Sequence, residues 1–190
     1  MIYGQVHLTL PAWVHELDLV GQRYETDEAK MALAIDLSAR NVQSCTGGPF
    51  GAAIFAGNGE LIALGVNRVV PQTCSVAHAE MMAFMTAQQR LQMFRLNDPD
   101  AQSNTPIVLA TSSQPCCMCY GASFWAGLDE MLIGARAEDV MELTEFDEGP
   151  LPSDWVGELE QRGIRVRRDV LREPARQVLR NYSQHAGQRY

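Results

Sequence analysis

His78-Ala79-Glu80, followed 35 residues after Glu80 by Pro115-Cys116-Cys117-Met118-Cys119, constrains this chain more than any other feature. Cys116 and Cys119 are three apart, so on a helix they share one face, while helical periodicity turns Cys117 about 100° away from them. One imidazole and two thiolates make a three-ligand set for a zinc ion. The fourth tetrahedral position stays open, as a catalytic zinc requires and a structural one does not. Glu80 supplies a carboxylate next to that position, suited to moving protons. His78 and Glu80 are two apart, which on an ideal helix separates them by roughly 200°. The pair therefore reaches one cavity only if His78 stands at the helix entry. Both thiols fall in the first turn after Pro115, where unpaired backbone N–H groups favour thiolate before a metal arrives.

Blander readings fit less well. A lone Cys-x-x-Cys serves structural zinc or redox pairs, but a redox dithiol needs neither Pro115 nor a preceding His-x-Glu. A closed structural zinc needs a fourth ligand. Cys45, Cys74, His7, His15 and His185 are the candidates, and none lies at a ligand spacing. With two thiolates and a neutral imidazole, a Zn²⁺ site is formally neutral and brings the pKa of a water towards neutrality. Glu80 is then placed to take the released proton and pass it to a ring nitrogen and to a departing amine. The H-x-E…P-C-x-x-C pairing is a signature of zinc-dependent hydrolytic deamination.

Charge narrows the substrate. The 190 residues carry 15 basic and 23 acidic side chains, a net charge of −8. That is poor for tracking a phosphate backbone, which needs clustered Lys and Arg. The cluster Arg162, Arg165, Arg167, Arg168, Arg172 alternates with apolar and acidic residues and reads as a solvated face. A small, weakly charged substrate suits the balance, with no nucleic-acid partner. Five cysteines, two at metal spacing, argue against a disulfide framework and for a reducing, cytoplasmic compartment. No apolar run approaches the roughly 18 residues of a membrane span, and residues 1–13 do not read as a signal peptide.

The chain reads as a single domain over 1–190, with residues 1–25 an irregular N-terminal extension laid on the surface. A helix is expected from Thr26 to Asn41, then a break at Gly47-Gly48-Pro49. Residues 50–56 and 60–69 read as strands joined by the hairpin turn Gly57-Asn58-Gly59. A helix over 76–96 with His78 at its start follows, then a strand over 107–111, a helix over 116–127 and a strand over 131–135. A short helix over 138–143, a helix from Ser153 to Gln161, a strand over 164–166 and an amphipathic helix over 169–182 complete the pattern. This order predicts a three-layer α/β/α sandwich around a mixed sheet of about five strands.

At these residues the chain resembles the cytidine deaminase superfamily, and more narrowly its guanine deaminase branch, from about Thr26 onward. Beyond the metal motif, the likeness is carried by Gly47-Gly48-Pro49-Phe50-Gly51, Gly65-Val66-Asn67-Arg68, the run from Thr111 to Ala122, Trp125 and Phe146-Asp147-Glu148. The resemblance implies a cytidine deaminase-like fold and one Zn²⁺ per chain on His78, Cys116 and Cys119. It implies Glu80 as the proton carrier, with Glu148 contacting the base and assisting proton transfer. It further implies Asn67 on the purine edge, Phe50 against the ring, backbone contacts from Ala79, Trp125 lining the pocket and Tyr190 closing it. A homodimer is implied as well, with residues 151–190 open to exchange between subunits and Glu148 open to acting in trans. The implied reaction is guanine to xanthine plus ammonia. A cytosine, s-triazine (such as ammeline) or pterin aminohydrolase is the nearest alternative, and a tRNA adenosine deaminase a more remote one.

Overall fold

The computed structural model describes residues 4–19, 21–98 and 105–184. Its helices are α1 (Asp27–Gln43), α2 (Val69–Gln72), α3 (Ala79–Leu91), α4 (Cys117–Ala126), α5 (Ala137–Thr144), α6 (Trp155–Gln161) and α7 (Arg172–Gln184). Its strands are β1 (Gly51–Ala56), β2 (Leu61–Val66), β3 (Ile107–Ser113), β4 (Glu130–Ala135) and β5 (Arg165–Arg167). The strands form one sheet in the order β2-β1-β3-β4-β5. β1 runs antiparallel to β2 and to β3, while β3, β4 and β5 are mutually parallel.

The central strands are apolar on both faces, and their alternation divides the core in two. Ala53, Phe55, Val108, Ala110 and Leu132 face one core with α1, α5 and α7. Ala52, Ile54, Leu109, Met131 and Ile133 face the other with α3, α4 and α6. The result is the mixed five-stranded α/β/α sandwich that the pattern predicts.

Helix α1 starts where its cap chemistry dictates: Thr26 accepts the Ala29 N–H at 3.1 Å, and Asp27 and Glu28 lie in the positive first turn. Three local expectations are corrected. The strand expected to run to Val69 ends at Val66, and Val69–Gln72 forms one helical turn; Val69 and Val70 favour strands, but Pro71 cannot donate to a ladder. The helix expected over 76–96 covers only 79–91, because His78 is extended and Gln92 ends it in a left-handed conformation at φ 54°. The N-terminal extension is not merely irregular. Ala12–Glu16 form a 3-10 turn behind Pro11, and Leu10, Trp13, Val14, Leu17 and Leu19 pack on the α1 core.

The C-terminal segment packs on its own chain. β5 pairs with β4, and Ala175, Val178, Leu179 and Tyr182 of α7 enter the α1 core. Asp139, 1% exposed, anchors the α5–α7 contact by accepting from Arg172 Nε at 2.7 Å and Nη2 at 2.8 Å, and from Arg176.

Candidate metal centre and pocket

All site elements meet at one end of the sheet, where β2 and β3 finish and β1 begins. Gly65 brings α3 there. A Cβ at that position would stand 2.0 Å from Ala79 O, so only glycine lets the first turn of α3 rest on β2. His78 is the N-cap residue with extended backbone (φ −70°, ψ 160°) and Glu80 is in the first turn. This is the condition on which convergence of the pair depends: an extended residue breaks the 200° separation of an ideal helix.

Cys116 caps α4, its Sγ accepting from the Cys119 N–H at 3.5 Å. Cys116 Sγ lies 3.5 Å from His78 Nδ1, and one donor atom from each of His78, Cys116 and Cys119 falls within 4.8 Å of the others. Tetrahedral zinc with bonds of about 2.3 Å to sulfur and 2.0–2.1 Å to nitrogen requires an S···N edge of about 3.6 Å. The donor set therefore fits a zinc ion in chemistry and in spacing. Cys117, one step round the helix, is exposed.

The electrostatics suit a cation. The Cys116 thiol is held down to about 4, first by its hydrogen bond with the Cys119 thiol and then by His78. Cys119 is pushed up by its interaction with the Cys116 sulfur and by its burial. Burial works to lower the His78 pKa, but its contact with Cys116 and the charges of Glu80, Cys116 and Glu148 outweigh this and raise it. Glu80 is raised by burial and by the neighbouring Cys116 charge. Its Oε1 lies 3.0 Å from Thr111 Oγ1, and its Oε2 accepts from Cys119 Sγ at 3.4 Å.

Phe50, His78, Glu80, Gln114, Cys116, Phe146, Asp147 and Glu148 line a cavity of about 100 Å³ over this cluster. Glu148 reaches it from the same chain. Burial, then the Glu80 and Cys116 charges, push its carboxyl up to about 8. Its carbonyl accepts the Cys117 N–H at 2.9 Å, which satisfies one of the open donors at the start of α4 and ties the 146–148 loop to the metal helix. Phe50 packs on Phe146 with ring centroids 5.6 Å apart.

The remaining expected positions divide. Asn67 is 1% exposed and is not among the residues that line the cavity; it adjoins Phe50, donating its backbone N–H to Phe50 O at 3.1 Å. Its Oδ1 accepts from Gly48 N at 3.3 Å and Val69 N at 3.2 Å, and its buried Nδ2 has no partner among the described residues. Asn67 thus offers a donor, not the donor–acceptor pair that an amide suggests on paper. Ala79 is fully buried beneath the centre and is not part of the cavity wall. Trp125 is corrected: it is 82% exposed and outside the cavity. It lies six residues past Cys119, about 240° round the helix, and so faces away from the ligands. Tyr190 lies outside the described residues.

Sequence reasoning assigned no role to Thr111 or Gln114, although both flank the second metal segment. Their burial at 2% and 7%, in polar side chains at a strand end, is the signal that structure adds. Gln114 Oε1 accepts the Ala137 N–H at 3.5 Å.

A sandwich with this donor set and an acid beside it is the frame of a zinc deaminase. Residues 24–135 match the family model described as "Cytidine and deoxycytidylate deaminase zinc-binding region", and the chain belongs to that family. Among solved structures it is similar to the guanine deaminase from Nitrosomonas europaea, with 38% identity, TM-score 0.89, and 97% of this chain and 99% of that one covered. It is also similar to the protein NE0047 in complex with 2,6-diaminopurine, with 40% identity, TM-score 0.89, and 97% and 95% coverage. The guanine deaminase of Bacillus subtilis (strain 168) is 35% identical over 115 residues, which is 60% of this chain and 68% of that protein.

Proposed function

We propose that this protein hydrolyses the amine of guanine to give xanthine and ammonia. The carrying observation is the His78, Cys116 and Cys119 cluster with Glu80 beside it under one cavity, in a chain similar over 97% of its length to a guanine deaminase. One Zn²⁺ per chain, held by His78, Cys116 and Cys119, supplies Lewis acidity and lowers the pKa of a water towards neutrality.

The chain's residues do the rest. Glu80 takes one proton from the attacking water and delivers it to a ring nitrogen. It then takes the second proton, from the hydroxyl now bonded to the ring carbon, and delivers it to the amine, which leaves as ammonia as the C–N bond breaks. Burial raises the Glu80 pKa, which favours holding the proton between the two transfers. Thr111 holds one oxygen of that carboxyl. Phe50 and Phe146 give the ring an aromatic wall. Glu148, protonated near neutrality by its burial, is suited to donating to a ring nitrogen or carbonyl. Asn67 Nδ2, buried and unpartnered, supports a contact with an acceptor atom on the purine edge.

A homodimer is supported by α4, which contains no charged residue and leaves Trp125 exposed on its outer side. Free thiols support a reducing compartment such as the cytoplasm, and no helix among the described residues is long and apolar enough to cross a membrane. The acidic balance supports a free base over RNA.

The test is ammonia release by the purified protein from guanine, cytosine, 2,6-diaminopurine, an aminated s-triazine and a pterin, with product identification. Xanthine formed from guanine at the highest kcat/KM is the expected result. Activity on another ring with guanine untouched overturns it.

A further inference from the structure

We infer that the N-terminal segment is a specificity strap: Trp13, acting through Thr46 and Asn41, fixes the direction in which Asn67 presents its free N–H. This rests on the proposal that Asn67 meets the substrate. The observations behind it are a chain of hydrogen bonds running from Trp13 through Thr46 and Asn41 to the backbone of Asn67.

The Trp13 indole can only donate, and its Nε1 meets Thr46 Oγ1 at 3.0 Å. The hydroxyl therefore accepts from Trp13 and turns its one proton towards Asn41, whose Oδ1 at 2.7 Å is nearer than its backbone carbonyl at 3.3 Å. That fixes which side of the Asn41 amide is oxygen. Asn41 Nδ2 then faces two carbonyls, Gly48 O and Asn67 O, each at 2.9 Å, and carbonyls only accept. Asn41 is fully buried, so its two Nδ2 bonds are made away from water, while the Trp13–Thr46 and Thr46–Asn41 bonds are half-buried.

Gly48 closes the circuit. Its carbonyl is gripped by Asn41, and its N–H, with that of Val69, points at Asn67 Oδ1. An N–H can only donate, so the Asn67 oxygen is held on that side and Nδ2 on the other. Gly47 allows the approach, since a Cβ there would stand 1.9 Å from Asn67 O. A second tie runs parallel: Arg68 Nε donates to Thr9 O at 3.1 Å, and Arg68 also donates to Thr46 O. The family-matched region begins at residue 24, so the segment holding Thr9 and Trp13 lies outside it while bonding to the loop that orients Asn67.

Asn41, Thr46 and Trp13 are positioning residues, and removing their hydrogen bonds should weaken substrate binding more than the chemical step. The test uses the full-length zinc-loaded protein with Thr46→Val, Thr46→Ser, Trp13→Phe and Asn67→Ala, measuring kcat and KM for guanine alongside the melting midpoint. Thr46→Val and Trp13→Phe should each raise KM about three- to tenfold with kcat within about twofold, the scale of one hydrogen bond. Thr46→Ser, which keeps the hydroxyl, should restore the wild-type KM. Unchanged KM in both Thr46→Val and Trp13→Phe overturns the strap while Asn67→Ala still raises KM. A fall in melting midpoint with KM unmoved also overturns it, by reducing the segment to a stabilising one. If Asn67→Ala itself leaves KM unchanged, the reading of Asn67 fails, and the strap with it.

Discussion

Thr111 Oγ1 stands 3.0 Å from Glu80 Oε1 and 3.0 Å from Ser113 O. A hydroxyl has one proton, and a carbonyl oxygen can only accept. When Glu80 is protonated it can donate to Thr111, whose own hydroxyl then donates its hydrogen bond to Ser113 O. When Glu80 is ionised the hydroxyl can turn and donate to it. One side chain therefore accommodates both states that a proton carrier passes through. Thr111→Val should lower kcat about ten- to a hundredfold, the scale of a hydrogen bond to a charged group. KM should change little, and Thr111→Ser should recover most of the rate. Steady-state kinetics of the three proteins decides it.

Glu80 and the metal ligands separate cleanly by what each substitution removes. Glu80→Gln should retain zinc, because the carboxylate lies beside the donor cluster and is not one of its atoms. Its kcat should fall by about 10²–10⁴, the usual range for a proton carrier. Cys119→Ser should instead lose zinc, and chelation of the wild type should abolish turnover reversibly. Metal content per chain, measured beside kcat on the same samples, distinguishes these outcomes. Zinc-replete Cys119→Ser with wild-type turnover would contradict the ligand assignment.

Much of this centre was legible because its residues are close in sequence to the elements that carry them. The spacing of His-x-Glu required His78 to stand at a helix entry, and Pro115 before Cys-x-x-Cys implied a helix start. What escaped depends on contacts between distant segments. Asn41 reads as one polar residue near the end of an amphipathic helix. Only the folded chain brings it against Gly48, Thr46 and Asn67. Trp13 reads as part of a tail because a 3-10 turn behind Pro11 has no periodicity to detect. Trp125 failed for the opposite reason: adjacency to the metal helix suggested the pocket, although helical phase turns it outward.

Glu148 gives a pH test of the metal-free protein. Its carboxyl is pushed up to about 8 by burial, from an ordinary value of 4.5. The folded chain thus keeps a proton that the unfolded chain releases across that window. By linkage, the stability associated with this proton is fully present below about pH 4.5 and is lost as pH rises through about 8. Cys116, held down to about 4, acts in the opposite sense, so the difference between wild type and Glu148→Gln isolates the carboxyl. In chelated samples, the denaturation midpoint of wild type relative to Glu148→Gln should decline between pH 5 and 8. A flat difference would mean that Glu148 is solvated in the metal-free state.

Asp139 governs whether α7 stays on α5. It is 1% exposed, accepts the Arg136 N–H at 2.9 Å, and receives charged donors from Arg172 and Arg176. Removing one member of a fully buried ion pair costs about 3–5 kcal/mol, because the partner charge is left uncompensated. Here Arg172 and Arg176 retain some solvent, with side chains 33% and 17% exposed, and keep acidic neighbours in Asp169 and Glu142. Asp139→Asn should therefore cost less, about 2–3 kcal/mol. For a chain of this size that lowers the melting midpoint by roughly 4–12 °C. Helix α5 leads through Glu145, at φ 63°, into the loop bearing Phe146 and Glu148, and Phe146 stacks on Tyr182 of α7 at 6.1 Å. Loosening α7 should thus also raise KM at temperatures well below the melting midpoint. Glu142→Gln, which removes a pair whose carboxylate is 65% exposed, should do neither within about 0.5 kcal/mol. Equal effects of the two substitutions on melting would show that burial of Asp139 is not what makes it matter.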